Sequence, residues 1–227
     1  MEKMRYDRTV MLVGQEGFER LRAAKVLVFG IGGVGGYAVE ALARTGIGTL
    51  GLVDDDTVDI TNLNRQIIAL ETTMGQPKVE AMKERIGAVD PETRVLAYHK
   101  RLTAETLDSF DLASWDYVVD AIDDVAAKVF LAEAAAKMGV PLIASMGTGN
   151  KLDPSKLRVA DISKTHTCPL AKKVRKELRD RGINHLKVVF SDELPYRTGG
   201  VSSVAFVPGA AGLLIASEVV KDLLATE

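Results

Sequence analysis

The residues of this chain that could do chemistry together lie in its first half. They are Gly30-Ile-Gly32-Gly33-Val-Gly35, Asp54 and Asp56, Asn62-Leu-Asn-Arg65-Gln66, Lys78 after Gln-Pro, and Asp120-Ala-Ile-Asp123. Glycines at this spacing let a backbone turn tightly, approach a phosphate and pack the next helix against a strand. That helix start offers amide donors and a positive dipole end to an anion. Asp54 follows the glycines by about 20 residues, where an acid takes ribose hydroxyls. So far a NAD-dependent oxidoreductase fits equally well. Arg65, Lys78 and Asp123 point elsewhere. A lysine in the first turn of a helix opposes the helix dipole, which makes it a poor structural choice and a good anion ligand. Arg65, in an asparagine-rich loop, can fork onto phosphate oxygens. Asp123 directly precedes a helix and is either its N-cap or a Mg²⁺ ligand beside substrate phosphates. Singly, each cation reads as a solvated surface charge. Together with the carboxylate they suit a triphosphate and its metal ion, which hydride transfer does not need. No Gly-x-x-x-x-Gly-Lys-Ser/Thr run occurs, so a triphosphate would be held by this scattered set and not by a P-loop.

The positions of these residues depend on the elements between them. Val26–Phe29 is a continuous apolar run ending in glycines, the pattern of a strand buried on both faces. Tyr37–Thr45 has helical spacing, with Gly46 as its stop. Leu50–Val53 predicts the next strand and ends on three aspartates. Val79, Met82, Ile86 and Val89 share one helical face, with Pro77 at the first helical position. Arg94–Tyr98 and Tyr117–Ile122 read as strands, Val125–Met138 as an alanine-rich helix, and Pro141–Met146 as another strand. This alternation predicts a doubly wound α/β, mostly parallel, Rossmann-like sheet with helices on both faces.

Composition narrows the class. The chain has 227 residues, 47% of them hydrophobic, which suits one compact domain with an inserted smaller region. Its net charge of −2 provides no global field for nucleic acid. One cysteine excludes a disulfide framework within the chain and a multi-cysteine zinc site, and fits a reducing cytoplasm. The polar N-terminus carries no signal-peptide core. The apolar stretch Val204–Ala216 is broken by Pro208 and two glycines, too short to span a membrane.

The pattern changes after Met146. Gly147–Asn150 and Asp153-Pro154 signal turns around a hairpin. Cys168-Pro169 opens a charged helix to about Arg181, Ser191–Gly200 reads as an irregular loop, Val201–Val207 as a strand, and Gly209–Leu224 as a closing helix. From Lys164 to Lys187 there are eight cations against two acids. That segment is either the footprint of an RNA backbone or a solvated helix face. Cys168, at a lysine-rich helix start, is either a reactive thiol or, more plainly, a packing residue. The three histidines form no metal-ligand spacing.

The order GxGGxG, LVDxDxV, TNLNRQ, GQPK and DAIDD resembles the ubiquitin-activating-enzyme-like adenylyltransferases. Within that superfamily the finer resemblance is to the tRNA threonylcarbamoyladenosine dehydratases. It is carried by Asn62–Ile67, by Asp153-Pro154 with Val159–Thr165, by Pro169–Arg175 and by Val189–Ser191. The resemblance implies that Asp54, with Gly30, Gly32, Gly33, Gly35, Asp56, Asn62 and Gln66, lines the ATP site. It also implies that Arg65 and Lys78 hold the phosphates, that Asp123 holds Mg²⁺, and that Arg8 reaches a neighbour's triphosphate across a homodimer. Lys172, Lys173, Arg175, Lys176 and Arg179 would meet the tRNA anticodon arm. A sulfur-relay protein is left open as a further partner. On this reading residues 1–146 form the ATP-binding core with an N-terminal helix, 147–200 the substrate-facing region, and 201–227 the closing strand and helix. Two departures matter. Sulfur-carrier-activating relatives typically have paired Cys-x-x-Cys motifs, which one cysteine cannot supply. Some dehydratase relatives also carry a cysteine in the loop before the last helix, where this chain has Thr198–Ser203. The rivals are an adenylyltransferase for the Gly-Gly tail of a sulfur carrier, a NAD-dependent oxidoreductase, and an inactive nucleotide-binding scaffold.

Overall fold

The computed structural model describes residues 4–197 and 199–225. One seven-stranded sheet organises them, in the order β3-β2-β1-β4-β5-β7-β6. The strands are β1 (Lys25–Phe29), β2 (Thr49–Val53), β3 (Arg94–Tyr98), β4 (Tyr117–Asp120), β5 (Leu142–Ser145), β6 (Leu157–Asp161) and β7 (Lys187–Ser191). Neighbours run parallel except β6, which lies antiparallel to β7 at the edge. The apolar runs of β1 and β2 are unbroken because both faces of those strands are covered, and Val26–Phe29 is wholly buried.

Among the described residues six α-helices flank the sheet: α1 (Asp7–Ala23), α2 (Gly35–Thr45), α3 (Lys78–Val89), α4 (Val125–Met138), α5 (Pro169–Asp180) and α6 (Phe206–Ala225). One core joins α2, α3 and α6 to one face, and Leu21 of α1 enters it. Packing of α4 and α5 covers the other face, where Phe29, Phe110 and Trp115 form an aromatic layer. Gly46 ends α2 in the left-handed conformation at φ +104°, as its position suggests. Within α1, Gly14 at φ 77° and ψ 167° breaks the helix in two.

Three expectations change. Val201–Val207 is not a strand: residues 201–205 are irregular, and α6 begins at Phe206, burying Val207. Pro208 sits in the first turn, where its missing N–H costs nothing. The turns of 147–154 lead into no local hairpin. Instead β6 pairs with β7 across the whole of α5, and both strands belong to the main sheet. Pro77 flanks α3, with Lys78 as its first residue. Thr198 lies outside the described residues.

Candidate active site

Strand order reverses between β1 and β4: the chain leaves β1 for β2 and β3 on one side, then returns to β4 on the other. In open α/β sheets the crevice beyond the carboxyl ends at such a point is where ligands bind. Both turns leaving this point carry the residues singled out by sequence. Gly30, at φ +86°, has no room for a side chain, since a Cβ there would lie 2.7 Å from the Ala121 carbonyl oxygen. A Cβ on Gly35 would lie 1.8 Å from the Gly30 carbonyl oxygen. The glycines thus fold the turn tightly against the β4–α4 turn and leave its outer side bare.

Asp54 directly follows β2, beside this turn. Its Oδ2 accepts from the Ile31 amide at 2.6 Å and its Oδ1 from the Asp56 amide at 2.9 Å. Burial pushes the Asp54 carboxyl up, opposed by the Lys78 ammonium and the two amide bonds. Asp56 holds Lys78 twice: its carbonyl accepts from the Lys78 amide at 3.0 Å, and its carboxylate lies 2.6 Å from Nζ. Lys78 is 5% exposed, so its ammonium is fixed and faces an acid that is itself largely exposed. A phosphate arriving at that open side would find a cation already oriented.

The loop 59–69 lies against the glycine turn. Asn62 is buried, and its Oδ1 accepts from the Asp59 amide at 3.1 Å. Its carbonyl accepts from the amides of Arg65 and Gln66. Arg65 donates to the Thr61 carbonyl and the Asn64 side chain, and its Cγ lies 3.5 Å from where a Cβ on Gly33 would stand. Gln66 Nε2 stands 3.7 Å from the same position on Gly32, while its buried Oε1 has no partner among the described residues. An orphaned acceptor beside a bare glycine cradle fits a hydrogen-bonding ligand, as a nucleotide would be. Asp123 lies in the β4–α4 turn, exposed, and no hydrogen bond or ion pair occupies its carboxylate among the described residues. It is not the cap of α4. That is Asp124, whose side chain accepts from the Ala127 amide at 2.8 Å. Asp123 is therefore free for a cation, and a carboxylate beside phosphates suits Mg²⁺.

Further out, α5 shows Lys172, Lys173, Lys176 and Arg179 to solvent, without ion-pair partners among the described residues. Arg175 differs: its guanidinium donates to the Thr165 carbonyl at 2.7 Å and the Thr165 hydroxyl at 2.6 Å. Lys187 is likewise engaged, with Asp222 and Glu218. Cys168 is 3% exposed, a packed residue. Arg8 is exposed on the first half of α1, two residues after Tyr6, whose hydroxyl bonds Asp90 at 2.7 Å. Asp90 follows α3 and precedes β3, so this anchor lies at the amino edge of the sheet, opposite the crevice.

The ThiF family model matches residues 6–227. The chain belongs to the ThiF family. Among its ThiF relatives, the tRNA threonylcarbamoyladenosine dehydratase of Bacillus subtilis is 46% identical over 239 residues, covering 96% of this chain and 94% of that one. The E. coli tRNA N6-threonylcarbamoyladenosine dehydratase TcdA, solved in complex with ATP, matches with a TM-score of 0.93 at 36% identity, over 97% of this chain and 94% of that one. A shorter match is to the sulfur carrier protein adenylyltransferase of Thermus thermophilus, 39% identical over 141 residues, covering 61% of this chain and 52% of the relative. This ThiF chain also carries a buried pair that its sequence did not reveal. Lys128 and Asp120 meet at 2.9 Å, each side chain 1% exposed. Among the described residues no helix is long and apolar enough to cross a membrane.

Proposed function

We propose that this protein is an ATP-dependent dehydratase of threonylcarbamoyladenosine next to the tRNA anticodon. One observation carries the reading: a ThiF chain brings the glycine turn, the fixed Lys78 and the 59–69 loop to a single crevice at the switch point. The threonyl carboxylate of the modified base attacks the α-phosphate of ATP, pyrophosphate leaves, and an acyl adenylate remains. A nucleophile within the same modified base then displaces AMP and closes the ring. Intramolecular closure gains an effective molarity of ~10⁵ M or more when the ends are held in line, so no protein nucleophile is needed and the buried Cys168 is no loss. Glycine-turn amides cradle the phosphates, Asp54 receives the ribose hydroxyls, and Arg65 and Lys78 neutralise the charge that builds on departing pyrophosphate. Asp123 would hold Mg²⁺, which when bound screens the triphosphate.

Lys172, Lys173, Lys176 and Arg179 would meet the phosphates of the anticodon arm, while Arg175 stiffens the loop before α5. Arg8 acts on the crevice of a second copy, because its own anchor lies at the opposite edge of the sheet. The surface beside it, with Met11 85% and Leu12 84% exposed, supports a homodimer contact. We place the enzyme in the cytoplasm with its tRNA. Dehydration moves no sulfur, so a sulfur-relay partner would be regulatory.

Mass spectrometry of nucleosides from tRNA incubated with ATP and enzyme tests the proposal, the expected product being the modified adenosine less one water. Unchanged tRNA, together with adenylation of a Gly-Gly-ended carrier protein, would transfer the activity to the sulfur-carrier class. Thermal protection by NADH and not by ATP would point to an oxidoreductase.

A further inference from the structure

Lys128 belongs to an alanine-rich helix, yet it points into the protein and is 1% exposed. Its ammonium lies 2.9 Å from Oδ1 of Asp120 at the end of β4. The same Oδ1 accepts from the Ile122 amide at 3.0 Å, and Oδ2 has no partner among the described residues. An ion pair this deep is an expensive way to fill a core, because an apolar pair of equal volume is commonly as stable. What the apolar pair could not do is accept from Ile122, whose amide points inward where the chain leaves the strand. A buried amide without an acceptor is costly. Burial pushes the Asp120 carboxyl up and Lys128 opposes that shift, while its ammonium, 2.9 Å from Oδ1, holds the acceptor in place.

The turn so braced is short and fixed elsewhere too. The Ala121 amide donates to the Phe29 carbonyl at 2.8 Å, and the Ala121 carbonyl abuts Gly30. Asp124 is committed to capping α4. Asp123 is left as the one free carboxylate on a turn with little freedom to move. We infer that Lys128 and Asp120 are positioning residues, which hold the 121–124 turn where Asp123 meets a divalent cation on the triphosphate; this rests on the metal role proposed for Asp123.

The probe is Mn²⁺, titrated by electron paramagnetic resonance into full-length protein saturated with α,β-methylene-ATP. Asp120→Leu/Lys128→Met supplies an apolar pair without the acceptor, and Asp120→Asn/Lys128→Met a neutral pair that keeps it. The apolar pair should fold with a Tm lowered by the unpaired Ile122 amide, and bind Mn²⁺ more weakly, on the order of 10–100-fold. Nucleotide affinity in EDTA should stay within about two-fold, since the same change acts only through the metal's ligand. The asparagine pair should bind Mn²⁺ as the wild type does. Wild-type Mn²⁺ affinity in the apolar pair would reduce Asp120 and Lys128 to core packing and overturn the inference. If that variant does not fold, Asp120→Ala/Lys128→Met, which also lacks the acceptor, is measured in its place, and wild-type affinity there overturns it equally. Asp123→Asn is titrated alongside: unchanged Mn²⁺ binding in that variant removes the metal role itself, and is told apart because only Asp123 has then been altered.

Discussion

Asp123 and Asp124 show how one position separates a structural carboxylate from a free one. Asp124 supplies the cap, so Asp123→Asn should leave thermal stability unchanged while lowering ATP–pyrophosphate exchange by roughly 10²–10³; near-wild-type exchange would take Asp123 out of the site. Lys78→Ala should fail differently. It removes a buried ammonium and frees Asp56, so both the apparent KM for ATP and turnover should suffer in steady-state kinetics. Much of this was legible in the chain, because glycines against a strand end and a lysine at a helix start have few other uses. Lys128 was not. A lysine among alanines in a helix reads as a solvated charge, and only the fold shows that its face of α4 turns to Asp120. Gln66 was legible as part of a loop, but its unpartnered Oε1 is a fact of packing.

Among elements, α5 and the first half of α1 carry separate tests. Reversing Lys172, Lys173 and Lys176 to Glu should raise the apparent KM for tRNA several-fold. It should also flatten the salt dependence of binding by a log-log slope of about 0.7–0.9 per lost contact, with ATP affinity unchanged. Wild-type behaviour across a salt series would make α5 a solvated face. The start of α1 is clasped to Asp90, after α3, which receives the Tyr6 hydroxyl, Arg22 and Thr93. Burial would raise the Asp90 carboxyl, yet these partners hold it below the usual range. The Tyr6 hydroxyl, buried against that carboxylate, is pushed up to about 12. A depressed carboxylate contributes stability that is present above its unfolded pKa of about 3.9 and lost as pH falls through the folded value. The clasp should therefore hold unchanged from pH 5 to 8 (roughly the range above that titration) and open only in acid, as followed by Tm against pH. Tyr6→Phe should cost about 1.5 kcal/mol in denaturant unfolding. Elements formed by local pattern, such as α2 and α4, were readable from sequence. The β6–β7 pair was not, because its register forms across an intervening helix, and Val201–Val207 misled because an apolar run fits a buried strand or a buried helix start equally.

For the whole molecule, the role proposed for Arg8 would make activity a property of two copies. Mixing inactive Arg8→Ala with inactive Lys78→Ala should restore part of the activity, since hybrid dimers hold one intact composite site. Subunit exchange without recovery would confine the arginine to its own chain. The last helix has a consequence for how the protein is made. Pro208 packs against Gly33, and Gly212 comes so close to α2 that a Cβ there would lie 2.3 Å from the Val34 carbonyl oxygen. The glycine turn thus leans on residues translated long after it. A nascent chain can lay down its first strands early, but the turn proposed to cradle the nucleotide stays unsupported until α6 emerges from the ribosome and docks. Unfinished chains would therefore be poor consumers of ATP, and retention of stalled ribosomes on an ATP resin should appear only once α6 has cleared the exit tunnel.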